Sequence, residues 1–410
     1  MGLAILILLL CSAIPSAISS HQPHENLYDA KSQIIDVRGG PHMWCALSMI
    51  NPSLVLITGD LTDGKSKDLL TMKQDEEWAE YQNVMEDVAK RSGLKKSIFY
   101  DLRGNHDNFG VPVVDGSFDF FSKYSINGQL GRSGPVHSVT VQLSYYLETV
   151  ERKLLFVGFD STMSVGLRGP TNLLGHPTDQ LLTEIDSELS QWNSQSAKTI
   201  TKISFGHFPL SFSATSCSGK SLKDIFLKHS LTAYLCGHLH TRFGKNLKQH
   251  HQSGHHLLFS QNYFQLNTHQ IPSESTHNCS NIASPVEEFW EWEMGDWRKS
   301  RVMSILAIDR GYVSFVDIDF KLGAKRTIIL PTFPLDSRFI LTSSLNKYKC
   351  QSMDLSSYGT VRALVFSASL IVSVVAKIYD LRPRNLLVVL ETLMSKLEST
   401  SSRGDLYAAP

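Results

Sequence analysis

Four short stretches of this chain end in residues able to hold a metal ion or move a proton. They are Gly59-Asp60 in "GDLTD", Asn105-His106-Asp107 in "GNHD", His207 in "GHFP", and His238 with His240 in "GHLH". Imidazole combined with carboxylate suits a divalent or trivalent transition metal such as Zn, Fe or Mn. A carboxylate shared by two cations offsets their mutual repulsion. Two ions roughly 3.5–4 Å apart lower the pKa of a bound water and clamp the oxygens of a phosphoryl group. An imidazolium near a leaving group can supply its proton, commonly worth ~10²–10⁴ in rate. Taken singly, each stretch has a plainer account: Gly-His is usually a turn, Asn-His-Asp an Asx turn or helix cap, and Asp60 an N-cap. Four such ends in one order, each behind an apolar run and each opened by glycine, are a different matter. Glycine lets the backbone turn sharply off a strand and come close to an ion.

The elements that must position these residues are legible as alternating strands and helices. "LVLITGD", "SIFYDLRGNHD", "KLLFVGFDST", "KISFGHFPL" and "LTAYLCGHLH" are apolar runs that terminate in polar chemistry. Between them Asp75–Ser92 repeats Trp78, Tyr81, Val84, Met85 and Val88 at helical spacing. Pro177–Trp192 and Ser221–Ser230 read as further amphipathic helices. Strands alternating with helices predict an α/β layered domain, with ligands at the carboxyl ends of its strands. The His-dense "QHHQSGHHLLF" (Gln249–Phe259) reads as a solvated loop, and "EFWEWEMGDWRKS" (Glu288–Ser300) as aromatic packing beneath a loop.

The ordered set "GDLTD", "GNHD", "GHFP", "GHLH" resembles the calcineurin-like metallophosphoesterase family over about residues 50–310. The resemblance implies an α/β (α+β) two-sheet sandwich flanked by helices, two transition-metal ions and a phosphate-ester substrate. Asp60 would bridge the two ions. Asn105 through its amide oxygen, His207 and His238 would complete one site, and His240 would belong to the other. His106 would be the general acid or electrostatic stabiliser, oriented by Asp107. The tyrosine-bearing purple acid phosphatase branch would place Tyr where this chain has Asp63, which disfavours it.

The family's first motif, an apolar strand ending in Asp-x-His upstream of "GDLTD", has no counterpart in the sequence. In "SQIIDVRGGPHMWCALSMINPSL" Asp36 follows only Ile34-Ile35, and His42 lies in a Gly-Pro turn. The N-terminal strand of the domain is therefore expected to be missing, leaving one complete metal site where the family has two. This leaves two functional expectations. One is a phosphoesterase acting on a phosphomonoester or phosphodiester through a metal-activated hydroxide. The other is a silent or impaired member serving as a binding or structural protein. The loops that select substrate, such as Gly110–Gly134, follow no readable rule.

Composition bounds the remainder. Lys plus Arg and Asp plus Glu both number 39 in 410 residues, so the net charge is zero and no nucleic-acid-binding surface is expected. The apolar run Leu3–Leu10 followed by Ala17-Ile18-Ser19 reads as a signal peptide over residues 1–19, and the sequon Asn278-Cys279-Ser280 agrees with a secretory route. Without Cys11 five cysteines remain, enough for at most two disulfides. The expected organisation is a phosphoesterase domain over 20–330, a partial β-sandwich-like domain over 331–381 and a poorly ordered tail over 382–410. In a membrane-anchored branch of the family, transmembrane helices follow the β domain, and a longer form carrying them would be membrane-associated. Without those helices the chain is expected in the secretory lumen or outside the cell. Substituting Asp60→Ala is expected to abolish metal uptake, read by elemental analysis of protein purified with Mn or Zn.

Overall fold

Apolar side chains along the strands divide by parity, as a period of two requires when both faces of a sheet are covered. In β2 (Leu54–Ile57), Leu54 and Leu56 join one buried cluster while Val55 and Ile57 join another. In β5 (Arg152–Phe159), Leu154 and Phe156 share the cluster of Leu54 and Leu56, whereas Leu155, Val157 and Phe159 face outward onto a third. The computed structural model that shows this describes residues 6–11, 43–64, 71–132, 134–143, 152–167, 170–191, 199–239, 248–253, 287–295, 297, 302–309, 312–320, 327–336, 341, 360–380, 387–397 and 404–409.

The shared cluster lies between two sheets. One has the order β11-β10-β1-β2-β3, built from β1 (Leu6–Cys11), β2, β3 (Phe99–Asp101), β10 (Val302–Asp309) and β11 (Tyr312–Asp319). The other has the order β4-β5-β6-β7-β9-β8, built from β4 (Val136–Leu143), β5, β6 (Thr199–Phe205), β7 (Ala233–Cys236), β8 (Lys248–Gln252) and β9 (Glu288–Glu293). In the first sheet β1, β2 and β3 are parallel, and in the second β5, β6, β7 and β9 are. The carboxyl ends of β2, β3, β6 and β7 lead directly into the four motifs.

Helices cover the outer faces. α1 (Met43–Ile50) and α2 (Thr71–Ser92) bury Met43, Leu47, Trp78, Tyr81 and Val88 against the first sheet. The short α3 (Phe120–Tyr124) and α4 (Ile126–Gln129) follow. The buried carboxylate of Asp101, at the end of β3, accepts from the N–H groups of Ile126 and Asn127 and from the Tyr81 hydroxyl. α5 (Asp179–Ser190), capped by Thr178, and α6 (Leu222–Lys228), opened by a Ser221–Asp224 capping box, cover the second sheet. These helices match the amphipathic stretches of the sequence.

A third sheet, ordered β12-β13-β16-β15-β14, comprises β12 (Thr327–Phe333), β13 (Val361–Ser367), β14 (Val374–Asp380), β15 (Leu387–Lys396) and β16 (Asp405–Ala409). Ile328, Leu330, Leu364, Phe366 and Leu406 join the same cluster as α1, α2 and the outer face of β10. Buried Arg362 on β13 pairs with buried Asp309 at the end of β10, Nη2 to Oδ2 at 3.0 Å. The second domain is thus built into the core of the first.

Four expectations change. Residues 387–396 and 405–409, expected in a poorly ordered tail, form β15 and β16; "LVVLETLM" is strand-forming and its register is fixed by pairing with β14 and β16. Gln249–Gln252, expected as solvated loop, belong to edge strand β8 on β9, and His251 is buried there; 254–259 lie outside the described residues. The Trp-bearing Glu288–Glu293 is itself a fully buried strand. The place of the missing N-terminal strand is taken by Leu6–Cys11, the run read as a leader, which pairs with β10 on one side and β2 on the other. The sequon, Asp36 and His42 lie outside the described residues. Cys45, Cys217 and Cys236 are free thiols. Among the described residues no helix is long and apolar enough to cross a membrane.

Removing one partner of the Arg362–Asp309 pair leaves a buried charge uncompensated. Arg362→Met is expected to cost about 3–5 kcal/mol in urea denaturation, and the Arg362→Met, Asp309→Leu double variant is expected to recover most of it.

Candidate metal centre

Each of the four motifs begins where a parallel strand stops, so the two sheets deliver their polar tips to one place. Asp60 and His238 both have left-handed backbones, at φ 55° and 77°, and Gly59 has φ 100°. Such conformations are rare away from glycine and gather where the fold over-determines them. A Cβ on Gly59 would stand 2.7 Å from both Gly104 N and His207 Nδ1, and one on Gly104 would collide with Asp60. Only two glycines facing each other let the "GDLTD" and "GNHD" loops approach this closely.

Four atoms converge. His207 Nε2 lies 3.0 Å from Asn105 Oδ1, 3.2 Å from His238 Nδ1 and 3.4 Å from Asp60 Oδ1. His238 Nδ1 lies 3.1 Å from Asn105 Oδ1. The other nitrogen of His207 is 2.7 Å from the Thr58 carbonyl, so it carries the proton and Nε2 presents a lone pair. Lone pairs facing one another repel, and a proton or a cation among them relieves that repulsion. Ligands held at ~2.0–2.2 Å around a tetrahedral ion stand about 3.3–3.6 Å apart, close to these separations. Asn105 Nδ2 is buried without a hydrogen-bond partner. Turning the amide over would give Nδ2 an imidazole to donate to; the inward Oδ1 is the arrangement that a cation favours. Asp60, Asn105, His207 and His238 therefore fit a single transition-metal ion. Burial works against the Asp60 charge, but the imidazoles of His207, His106 and His238 outweigh it and hold the carboxyl below its ordinary value.

His106 stands beside this cluster, half-buried, its N–H donating to Asp60 Oδ1 at 3.1 Å and its ring against Phe109. Its Nδ1 is 2.7 Å from the Asp63 carbonyl oxygen and 3.5 Å from the Asp63 carboxylate. That contact makes Nε2 the nitrogen suited to exchanging a proton with a substrate. Asp107, expected to orient His106, does something else. Its Oδ2 accepts from Leu61 N (3.0 Å) and Gly104 N (2.8 Å), and its Oδ1 from Thr62 N (2.8 Å) and Thr62 Oγ1 (3.1 Å). It bolts the first two loops together. Burial, and then the charge on Asp60, push its carboxyl up to about 7 against the pull of those donors.

Residues that no motif announced complete the support. Arg103, next to Gly104, is buried between Asp119 (2.7 Å) and Asp160 (3.2 Å), anchoring the "GNHD" loop to the end of β5. Phe208 and Phe212 pack their rings on His238. His240 lies outside the described residues. β1 runs beside β2 with Cys11 opposite Ile57, and the sequence that follows it, "SAIPSA", holds no carboxylate or imidazole.

A profile of the calcineurin-like phosphoesterases matches residues 24–242, and the chain belongs to that family, a family of hydrolases. The profile of the TMEM62 Ig-like domain matches residues 323–410, across the third sheet. A protein of Arabidopsis thaliana named as a metallophosphoesterase is 65% identical over 369 residues, covering 89% of this chain and 49% of its own length. Transmembrane protein 62 of Mus musculus is 30% identical over 333 residues, covering 81% of this chain and 42% of its own. The chain thus spans less than half the length of these relatives. Among solved structures, a dimetal phosphatase from Danio rerio aligns over 77% of this chain and 99% of its own, at 9% identity and a TM-score of 0.40.

Asp107→Asn turns one acceptor oxygen into an NH2 group facing backbone N–H groups. It is expected to cost about 2 kcal/mol or more in chemical denaturation at pH 7.

Proposed function

We propose that the chain is a metal-dependent phosphoesterase that hydrolyses a phosphomonoester or phosphodiester. The observation that supports this most directly is the convergence of Asp60 Oδ1, Asn105 Oδ1, His207 Nε2 and His238 Nδ1, a set of atoms that a cation would bind together. A bound Mn, Zn or Fe ion would supply Lewis-acid charge for acidifying water and neutralising a phosphoryl group. The chain's own residues would do the rest. Asp60, the two imidazoles and Asn105 would fix where the phosphoryl group docks. His106, its Nδ1 committed to the Asp63 carbonyl, would hold a proton at Nε2 for the departing alkoxide.

A second reading, a catalytically weak member that binds phosphate esters or serves structurally, is favoured by one specific observation. The strand beside β2 runs straight into "SAIPSA", without a carboxylate or imidazole at its end, so of the residues that the motifs supply, the bridging Asp60 and His240 are left for a second ion. Both readings share one metal site and differ in turnover.

About one tightly held ion per chain is therefore expected by elemental analysis, with phosphoesterase activity far below that of a two-metal relative. His207→Ala should lose the ion and His240→Ala should keep most of it. Two tightly bound ions per chain would overturn the single-site account, and no bound ion would overturn the metal-centre reading.

A further inference from the structure

Glu291 is a fully buried carboxylate at the centre of β9, where a sheet core gains nothing from a charge and pays desolvation for it. Its register partner on the neighbouring parallel strand is Tyr234 of β7. The two side chains reach the same short segment behind His207. Tyr234 Oη donates to the Phe208 carbonyl at 2.7 Å, and Glu291 Oε1 accepts from Leu210 N at 2.7 Å. Pro209 stands between them and has no N–H to offer. The second oxygen of Glu291 is held by His251 Nε2 at 2.7 Å, from the buried side of edge strand β8.

We propose that Glu291, braced by His251, is a positioning residue of the metal centre that fixes the "GHFP" loop and so the place of His207. It rests on the metal-centre reading above. Two residues separate Leu210 from His207, and the carbonyl of His207 in turn accepts from Gly237 N at 2.9 Å, one residue before His238. A shift of the 208–210 segment therefore reaches both imidazoles of the cluster. An apolar side chain at 291 would fill the same space in the strand and leave Leu210 N without its acceptor. That difference separates positioning from mere packing.

The test is Mn²⁺ affinity of the purified full chain by calorimetry, compared across Glu291→Gln and Glu291→Met. The Gln variant keeps an oxygen for Leu210 N and is expected to bind within about threefold of the parent. The Met variant, of similar length without an acceptor, is expected to bind about 10–100-fold more weakly, the range seen when a supporting partner of a ligand is removed. Asp101→Asn, a buried acid of the other sheet, serves as the stability control and is expected to leave Mn²⁺ affinity unchanged. Should Glu291→Met fail to fold, the His251→Met, Glu291→Met double variant removes the stranded imidazole as well and is read in the same way. Equal affinity in the parent and the Met variant would overturn the inference alone, as would an equal loss in Asp101→Asn at matched stability. A parent chain that takes up no Mn²⁺ would overturn the metal-centre reading and this inference with it.

Discussion

The carboxylate of Asp107 is the joint on which the site depends. Two loops from neighbouring parallel strands, 45 and 46 residues apart in the chain, are drawn together by N–H donors from Leu61, Thr62 and Gly104 on a single side chain. Without an acceptor there, those buried amides would be unsatisfied and the loops would part. The approach that Asp107 secures is also what places Asp60 Oδ1 under the His106 amide and brings Asn105 over the same point. The facing glycines permit the contact and the carboxylate enforces it. The Thr58 carbonyl then draws His207 across from the other sheet, so a single buried acid underlies a cluster contributed by both halves of the sandwich.

Around that joint the electrostatics are arranged as compensations. Asp60 keeps its charge in a buried place because imidazoles surround it, and the same charge disfavours ionisation of Asp107 nearby. Arg103 answers two acids, Asp119 and Asp160, and ties the loop to two other parts of the chain. The polar groups of the site are thus partners of one another rather than of solvent, which gives a fixed geometry before any ligand arrives.

How much of this was legible follows from the range of each signal. Strand ends with glycine and a ligand residue are local, so Asp60, Asn105, His207 and His238 could be read and are found together. The helices carrying Trp78, Leu182 and Phe226 could be read because a 3.6-residue period is local too. Asp107 was legible as a residue but not in its role, because its partners lie tens of residues away in sequence. Glu291 stands in "EFWEWE", where three acids and two tryptophans alternate like a surface strand; only the burial of Trp290 and Trp292 between the sheets, and of Phe289 and Glu291 on the opposite face, reveals it as interior. The strands at 387–409 were missed because charged and hydroxyl residues interrupt their apolar runs, and what defines them is pairing, which no single segment displays.

The position of β1 makes the first sheet depend on residues 6–11. The nineteen residues that a peptidase acting after Ser19 would discard include the six that separate β10 from β2. With them the first sheet is continuous. Without them it divides into a β11–β10 ribbon and a β2–β3 ribbon, each with a raw edge that had been satisfied by five and four residue pairs respectively. Any such cleavage would therefore compete with folding for one segment. The retained and the trimmed polypeptide would differ in sheet topology and in tendency to self-associate, as well as in length.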